Sequence, residues 1–170
     1  MLYLRPYKRC DAAHIATWIL DEKSFYQWSA GLVGEYPLTA EKLQGHYEEQ
    51  ADNPDFWVMT ACEDGVPVGQ LLMRYPSEDR RELRFGFILV DASRRGKGYG
   101  KGMLQLAKQY AFDIAGAERI TLGVFANNPS AYHCYCKAGF TELPEREQYP
   151  LMGEEWECIM MECCRESASK

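Results

Sequence analysis

The amino-acid sequence predicts an α/β (α+β) domain in which a mixed, mostly antiparallel sheet of about seven strands is flanked by about four helices. Three apolar runs follow one another at 56–62, 66–75 and 83–90, which indicates consecutive antiparallel strands. The last run leads into a helical pattern and then into another strand at 118–125. A strand–helix–strand unit adds a parallel pair, so the predicted sheet is mixed.

The N-terminal third is predicted to hold one strand and three helices. An alternating pattern that ends at Pro6 indicates the strand, and apolar residues at helical spacing indicate the helices. Asp11 and Thr39 are placed to cap two of these helices, because their side-chain oxygens can accept hydrogen bonds from the first free amides. The predicted bounds are a strand at 2–5, helices at 12–20 and 40–50, and a short helix with a loop within 21–37.

The rest of the chain alternates strands with two helices and ends in two strands. Glu63-Asp64-Gly65 is typical of a hairpin turn. Apolar residues between Met103 and Ile114 recur at helical spacing, while Pro129 and Gly139 favour the start and end of a second helix. The predicted late elements are a helix at 129–138, strands at 140–147 and 156–164, and a polar, frayed tail at 165–170.

Composition places the chain among soluble globular proteins with a single domain, 1–170. Hydrophobic residues make up 46% and charged residues 26% of the chain, both ordinary values. A net charge of -6 does not favour nucleic acid as a partner, and no stretch is apolar enough for a membrane span. The seven cysteines form no Cys-x-x-Cys pair and have no matching histidines, so we expect no metal site. Free thiols in a reducing cytoplasm are the expected state.

The turn after the strand at 83–90 concentrates glycines and basic side chains. They are Gly96, Gly98 and Gly100 among Arg94, Arg95, Lys97 and Lys101. Glycine allows close backbone approach to a ligand, and a helix N-terminus offers free amides and a positive dipole end. The turn is therefore a candidate phosphate-binding loop, with a solvated basic turn as the alternative. Its spacing matches neither the Walker loop nor the dinucleotide-binding fingerprint.

Two motifs resemble those of one family. Arg95-Gly96-Lys97-Gly98-Tyr99-Gly100 is similar to the Gln/Arg-x-x-Gly-x-Gly/Ala signature of the GNAT superfamily, the acyl-CoA-dependent N-acetyltransferases. The stretch 127–140 resembles the family pattern Asn-x-x-Ala-x-x-x-Tyr-x-x-x-Gly-Phe, with Asn128, Ala131, Tyr135, Gly139 and Phe140 in register. With the strand between them, the resemblance covers roughly 56–147. It implies the GNAT fold and acetyl-CoA as co-substrate.

The resemblance also implies where the coenzyme binds. Its pyrophosphate is expected on the loop formed by Arg95, Gly96, Lys97, Gly98, Tyr99, Gly100 and Lys101. Its pantetheine arm is expected along the main chain of Ile88, Leu89 and Val90, whose amides also polarise the thioester carbonyl. Asn128 is expected to touch the same arm, although a role purely as a helix cap is an equal alternative.

Direct transfer from a thioester to an amine requires a proton donor for the leaving thiolate and a neutral amine. Tyr135 is the candidate general acid, since a phenol with a pKa near 10 matches a thiolate, and a core aromatic is the alternative. Some family members carry a catalytic glutamate where this chain has Arg84. Glu82 lies on the same strand face and is the candidate base; a solvated turn residue, or a water chain to another carboxylate, is the alternative.

The sequence therefore predicts an N-acetyltransferase that passes the acetyl group of acetyl-CoA to a primary amine in a ternary complex. The acidic balance favours a cationic acceptor, but amino acids, polyamines, aminoglycosides and protein amines stay open. A non-catalytic acyl-CoA sensor on the same fold is the alternative, because the glutamate is absent at Arg84. His133 is expected on the surface, Cys134 as buried filler, and the strand at 156–164 as a possible edge for a homodimer.

Overall fold

Seven strands form one sheet in the order β1-β2-β3-β4-β5-β7-β6 in the computed structural model, which describes residues 1–167. The strands are β1 (Leu2–Pro6), β2 (Phe56–Glu63), β3 (Val66–Arg74), β4 (Glu82–Val90), β5 (Arg119–Phe125), β6 (Thr141–Leu151) and β7 (Glu154–Cys164). The helices are α1 (Asp11–Ile15), α2 (Glu22–Ser29), α3 (Ala40–Glu48), α4 (Tyr99–Gln109) and α5 (Pro129–Lys137). A 3₁₀ turn at Ala92–Arg94 precedes α4, and a π-helical turn at Tyr110–Ile114 follows it.

The predicted fold class is confirmed. The sheet is antiparallel except between β4 and β5, which are joined by the crossover through α4. Within residues 1–167, five α-helices flank the sheet where about four were expected. The last three residues of the predicted domain, and of its predicted tail, lie outside the described residues. None of the helices within 1–167 combines the length and hydropathy needed to cross a bilayer.

Some sequence predictions about local structure are wrong. The helix predicted at 12–20 is shorter, because α1 ends at Ile15. Asp11 does not cap α1; it lies inside the helix, buried, and both of its carboxylate oxygens accept hydrogen bonds from Arg5 at 2.7 and 2.8 Å. The strand predicted at 156–164 is not an edge, because β7 pairs with β5 on one side and β6 on the other. The edge strand on this side is β6, which runs from Thr141 to Leu151 and is longer than the strand predicted at 140–147.

The helices form one layer on each face of the sheet. Helices α4 and α5 cover one face, where Met103, Leu104 and Tyr135 pack against β-strand residues such as Leu83 and Phe85. Helices α1, α2 and α3 cover part of the other face through side chains that include Ile15, Phe25, Trp28, Leu43 and Tyr47. Each large apolar side chain fully buried in this way contributes roughly 1.5–3 kcal/mol. The two cores hold the central strands rigidly from both sides.

Strand β4 contains a bulge at its centre. The β3–β4 register runs Gly69↔Val90 and Gln70↔Leu89, then shifts to Leu72↔Gly86. Phe87 lies in the shifted segment with φ 47°, a left-handed conformation that costs a non-glycine residue about 1 kcal/mol or more. Such a residue persists only when its surroundings hold it in place.

A buried polar network holds the bulge. The Tyr47 hydroxyl of α3 donates to Gln70 Oε1 at 2.9 Å, and Gln70 Nε2 donates to the main-chain oxygen of Phe87 at 3.4 Å. Gln70 is fully buried on β3. The network therefore joins a helix, the neighbouring strand and the strained residue of β4.

Strands β4 and β5 pair only at their beginnings. Their ladder consists of the three pairs Glu82↔Arg119, Leu83↔Ile120 and Arg84↔Thr121. Beyond them β5 pairs only with β7 among the described strands, and β4 keeps its pairing with β3. The two central strands thus separate toward their C-terminal ends, and the gap faces the N-terminus of α4.

Candidate functional site

A cleft of about 630 Å³ occupies the gap between β4 and β5. Five elements line it: the second half of β4, Gly123 and Val124 of β5, the first turn of α4 with its preceding loop, one face of α5, and α2 through Ser24, Gln27 and Trp28. A binding site at the point where neighbouring strands part is the usual arrangement in open α/β sheets.

The glycine-rich loop places free main-chain donors at one end of the cleft. Gly96 and Gly98 have φ values of 75° and 86°, which favour glycine, and Gly98 stands at the N-cap of α4. Because Gly98 has no side chain to cap the helix, the first amides of α4 stay available to a ligand. At Gly100, an added Cβ would lie 3.4 Å from Cys134 Sγ, so the loop also packs closely on α5.

The basic side chains of the loop divide into two groups. Arg94, Arg95 and Lys101 line the cleft together with Gly96, Gly98 and Gly100. Lys97 and Tyr99, which were also predicted to bind the coenzyme, are not among the lining residues. Lys97 is exposed, and the guanidinium carbon of Arg94 lies 5.8 Å from the centre of the Tyr99 ring. The Tyr99 ring thus forms a cation–π contact with Arg94.

Strand β4 contributes main chain more than side chains. Ile88, Leu89 and Val90 all line the cleft. Leu89 is buried against the α1–α3 core, while Ile88 and Val90 pack against the α4–α5 core. Because these side chains are engaged in both cores and β5 has turned away, the β4 backbone is the part that an extended ligand can pair with.

Helix α5 brings Tyr135 and Asn128 to the same cleft. Asn128 caps α5 by accepting a hydrogen bond from the amide of Ala131 at 3.3 Å, so its predicted capping role is confirmed. Tyr135 is only 7% exposed and packs edge-on against Phe140. Burial raises the pKa of Tyr135 well above its ordinary value, and the phenol therefore stays protonated at neutral pH.

Two further residues of α5, which were not predicted from the sequence as site residues, also reach the cleft. His133 is exposed and lines the cleft, and Cys134 lines it while half-buried. Burial raises the pKa of the Cys134 thiol, which keeps it in the unreactive form. The expected surface position of His133 is correct, but its helix face is the one toward the cleft.

Glu82 stands apart from these groups. It begins β4, at the opposite end from Val90, and is not among the residues that line the cleft. Its carboxylate accepts hydrogen bonds from Thr121 Oγ1 and from Arg119 Nη2. Burial alone would raise the pKa of Glu82, but these two hydrogen bonds outweigh it and the pKa lies below its ordinary value. A carboxylate stabilised in its charged form is a weak base.

Trp28 forms the α2 side of the cleft. Its ring centre lies 5.0 Å from that of Phe87, directly over the bulge. Its indole N–H is buried with no hydrogen-bond partner among residues 1–167. The sequence favours a core position for Trp28, with a pocket wall as the alternative, and the structure gives it both positions. The neighbouring Gln27 donates to the main-chain oxygen of Asn127 at 3.0 Å and so ties α2 to the start of α5.

Comparisons with known proteins agree with this architecture. The sequence model described as "Acetyltransferase (GNAT) family" matches residues 15–140. L-amino acid N-acetyltransferase AaaT of Escherichia coli (strain K12) is 29% identical over 110 residues, covering 64% of this chain and 68% of that protein. The uncharacterized N-acetyltransferase YdgE of Bacillus subtilis (strain 168) is 35% identical over 121 residues, covering 64% of this chain and 73% of that protein.

A solved structure gives the same result for the fold. The crystal structure of spermidine N-acetyltransferase from Vibrio cholerae in complex with CoA and spermine superposes with a TM-score of 0.80, at 21% identity. The match covers 96% of this chain and 95% of that one. The resemblance carried by the two motifs is thereby confirmed, and this chain belongs to the acetyltransferase (GNAT) family.

Proposed function

We propose that this protein transfers the acetyl group of acetyl-CoA directly to a primary amine within a ternary complex. One observation carries the proposal: the free amides of α4, the unpaired edge of β4 and the buried Tyr135 all line a single cleft. These are the three groups that a coenzyme A thioester needs, namely anion donors, an extended main-chain partner and an acid near the sulfur.

The coenzyme lies along the cleft in this proposal. Its diphosphate accepts hydrogen bonds from the first amides of α4, and Arg95 and Lys101 balance its charge. Its pantetheine arm runs beside Ile88 to Val90, with the amide side chain of Asn128 close to the arm. The exposed Lys97 contributes a solvated positive charge at the mouth, and Tyr99 acts through Arg94.

The chemistry follows from this placement. The neutral amine attacks the thioester carbonyl, whose oxygen is stabilised by main-chain N–H groups of β4 beyond Phe87. The carbon–sulfur bond breaks, and the Tyr135 hydroxyl gives its proton to the departing thiolate. General-acid assistance of this kind contributes about 10²–10⁴ in rate, or about 3–5 kcal/mol. The proton lost by the amine passes to water, and the tyrosine is reprotonated from solvent.

Glu82 is left out of this proton path. It does not line the cleft, and Thr121 and Arg119 hold its carboxylate in the charged form. Among residues 1–167, none of those that line the cleft carries a carboxylate. A water relay that leads out of the cleft is therefore the proposed route for the amine proton.

The experiment is release of free thiol from acetyl-CoA in the presence of a panel of amines, alongside calorimetric titration with coenzyme A. We expect thiol release with at least one amine class, and acetylated product in equal amount. Coenzyme A binding without transfer to any amine would favour the acyl-CoA sensor instead. No binding and no transfer would refute the proposed function.

The diphosphate position has its own test. The double variant Arg95→Gln, Lys101→Gln should weaken coenzyme A binding about tenfold or more, because two charge-assisted contacts are lost. Acetyl-pantetheine lacks the diphosphate, so its reaction rate should not respond to the same variant. The matched control is Lys8→Gln, Arg81→Gln, which removes two exposed charges outside the cleft. Equal weakening by both double variants would refute the placement.

A further inference from the structure

Two arginines stand directly opposite each other on neighbouring strands. Arg74 of β3 is paired in register with Arg84 of β4, so both side chains leave the same face of the sheet. Both are half-buried, and neither takes part in an ion pair among residues 1–167. Burial, and then the Arg84 charge, lower the pKa of Arg74. Like charges placed opposite each other are unfavourable unless an anion joins them.

The nearby carboxylates already have other partners. Glu82 is close enough to favour the charged form of Arg74, but its oxygens accept from Thr121 and Arg119. Glu162 also binds Arg119, at 2.9 Å. The Arg84 charge also reaches Glu82. Among residues 1–167, however, neither acid forms a hydrogen bond or an ion pair with Arg74 or Arg84, so both guanidinium groups keep free donors.

Arg84 borders the floor of the cleft. Its Nη2 lies 3.7 Å from Met160 Sδ, and 3.7 Å from the point where a Cβ on Gly123 would stand. Arg84 is not itself among the residues that line the cleft, but Gly123 is, and the guanidinium lies close beside that glycine. Gly86, one residue before the bulge, lines the cleft on the other side. The guanidinium therefore lies just beyond the segment of β4 where the thioester is proposed to sit.

We infer that the acceptor amine carries a carboxylate, and that Arg84 assisted by Arg74 binds this group at the floor of the cleft. The planar guanidinium matches a carboxylate through two parallel hydrogen bonds. A polyamine would instead bring further positive charge to two arginines that form no ion pair among residues 1–167. The overall charge of -6 favours a cationic acceptor, but it describes the whole surface and not this position. An α-amino acid is the simplest molecule that joins both groups over a short distance.

The inference rests on the proposed function, and its test separates the two. Each acceptor is offered with its carboxamide, for example phenylalanine with phenylalaninamide and leucine with leucinamide, and spermidine is added to the panel. The members of a pair differ in charge and hardly in shape. The amide has the less basic amine, so more of it is neutral at pH 7.5, and any preference for the acid must come from the carboxylate.

We expect the wild-type protein to show a higher kcat/KM for the amino acid in at least one pair. Arg84→Gln should lower the acid-to-amide ratio of kcat/KM by about tenfold or more. Arg84→Lys should restore part of the ratio, because lysine returns the positive charge but cannot form the two parallel hydrogen bonds of a guanidinium. Arg81→Gln, an exposed neutralisation three residues away, is the matched control and should leave the ratio unchanged. Coenzyme A titration confirms that each variant is folded.

Three results would overturn the inference. Wild-type transfer to the carboxamides or to spermidine, with no acid preferred, would refute it and leave the proposed function intact. An acid preference that survives Arg84→Gln would also refute it. Absence of transfer to every amine would remove the proposed function and this inference with it.

Discussion

Replacement of Gln70 by leucine tests whether the bulge of β4 is held by the buried polar network. Gln70 accepts from the Tyr47 hydroxyl and donates to the Phe87 carbonyl, and it is fully buried. Leucine fills a similar volume but leaves both groups without a partner. An unpaired buried polar group costs about 1–3 kcal/mol, so Gln70→Leu should lower the free energy of unfolding by about 2–4 kcal/mol. For a chain of this size the midpoint of thermal unfolding should fall by about 4–16 °C.

Urea denaturation followed by tryptophan fluorescence measures the stability, and steady-state kinetics measure the effect on the site. Because the network fixes Phe87 beside the proposed thioester position, kcat/KM for acetyl-CoA should fall about tenfold, which is the effect of roughly 1.4 kcal/mol. Gln148→Leu, an exposed change on β6, is the matched control and should stay within about 0.5 kcal/mol of wild type.

A double-mutant cycle separates the network from simple packing. Tyr47→Phe alone leaves Gln70 Oε1 unpaired and should cost about 1–2 kcal/mol. Combined with Gln70→Leu it should cost less than the sum, by about 0.5–3 kcal/mol, since the two side chains share one hydrogen bond. Additive effects, or Gln70→Leu with wild-type stability and kinetics, would show that the bulge does not depend on this network.

Three further changes test other parts of the structure. Tyr135→Phe should slow acetyl transfer about tenfold or more while coenzyme A affinity is retained. Because burial raises the pKa of Tyr135, the wild-type rate should show no decline from this group below about pH 10. Glu82→Gln should leave kcat unchanged and cost at most about 1 kcal/mol of stability, and a large loss of kcat would return Glu82 to the mechanism. Asp11→Asn should cost about 3 kcal/mol in urea denaturation, because it leaves Arg5 unpaired.

The same Asp11 variant should also change how the free energy of unfolding depends on pH in acid. Burial alone would raise the pKa of Asp11, but hydrogen bonds from Arg5, the Lys8 amide and Thr60 outweigh it, so the folded-state pKa is depressed. Its stabilisation is therefore present above the unfolded pKa of about 3.9 and is lost as the pH falls through the folded value. Wild type should lose this contribution in an acid titration of stability. Asp11→Asn should lack that step, and identical acid profiles would contradict the assignment.

Patterns local in the sequence predicted most of the fold. Period-two and helical spacings give the element order, and the order with one strand–helix–strand unit gives a mixed sheet. The glycine loop is recognisable because Gly96 and Gly98 need left-handed backbone, and such positions are marked by residue type. Asn128 and Thr39 act as the caps that their side chains favour.

Features that depend on pairing between strands could not be predicted from sequence. Alternation along the strand places Glu82 and Arg84 on one face of the sheet. It does not predict that Thr121 and Arg119 donate hydrogen bonds to Glu82, because these residues come together only through the parallel β4–β5 register. The Arg74–Arg84 pair follows from the β3–β4 register in the same way. Asp11 has the residue type of a cap, yet a partner on a neighbouring strand, Arg5, determines its position.

The bulge, which adds one residue to β4, also divides this strand into an upstream half near the proposed acceptor position and a downstream half near the proposed thioester position. Before it, Arg84 and Gly86 share the α2 face of the sheet; after it, Phe87 and Leu89 take that face and Ile88 and Val90 turn away. Residues upstream of the irregularity can therefore be exchanged to suit a new acceptor without reversing the orientation of any side chain downstream. Deleting one residue there would invert the downstream pattern and disturb both cores at once, so variation in this strand should accumulate as substitutions and not as changes in length.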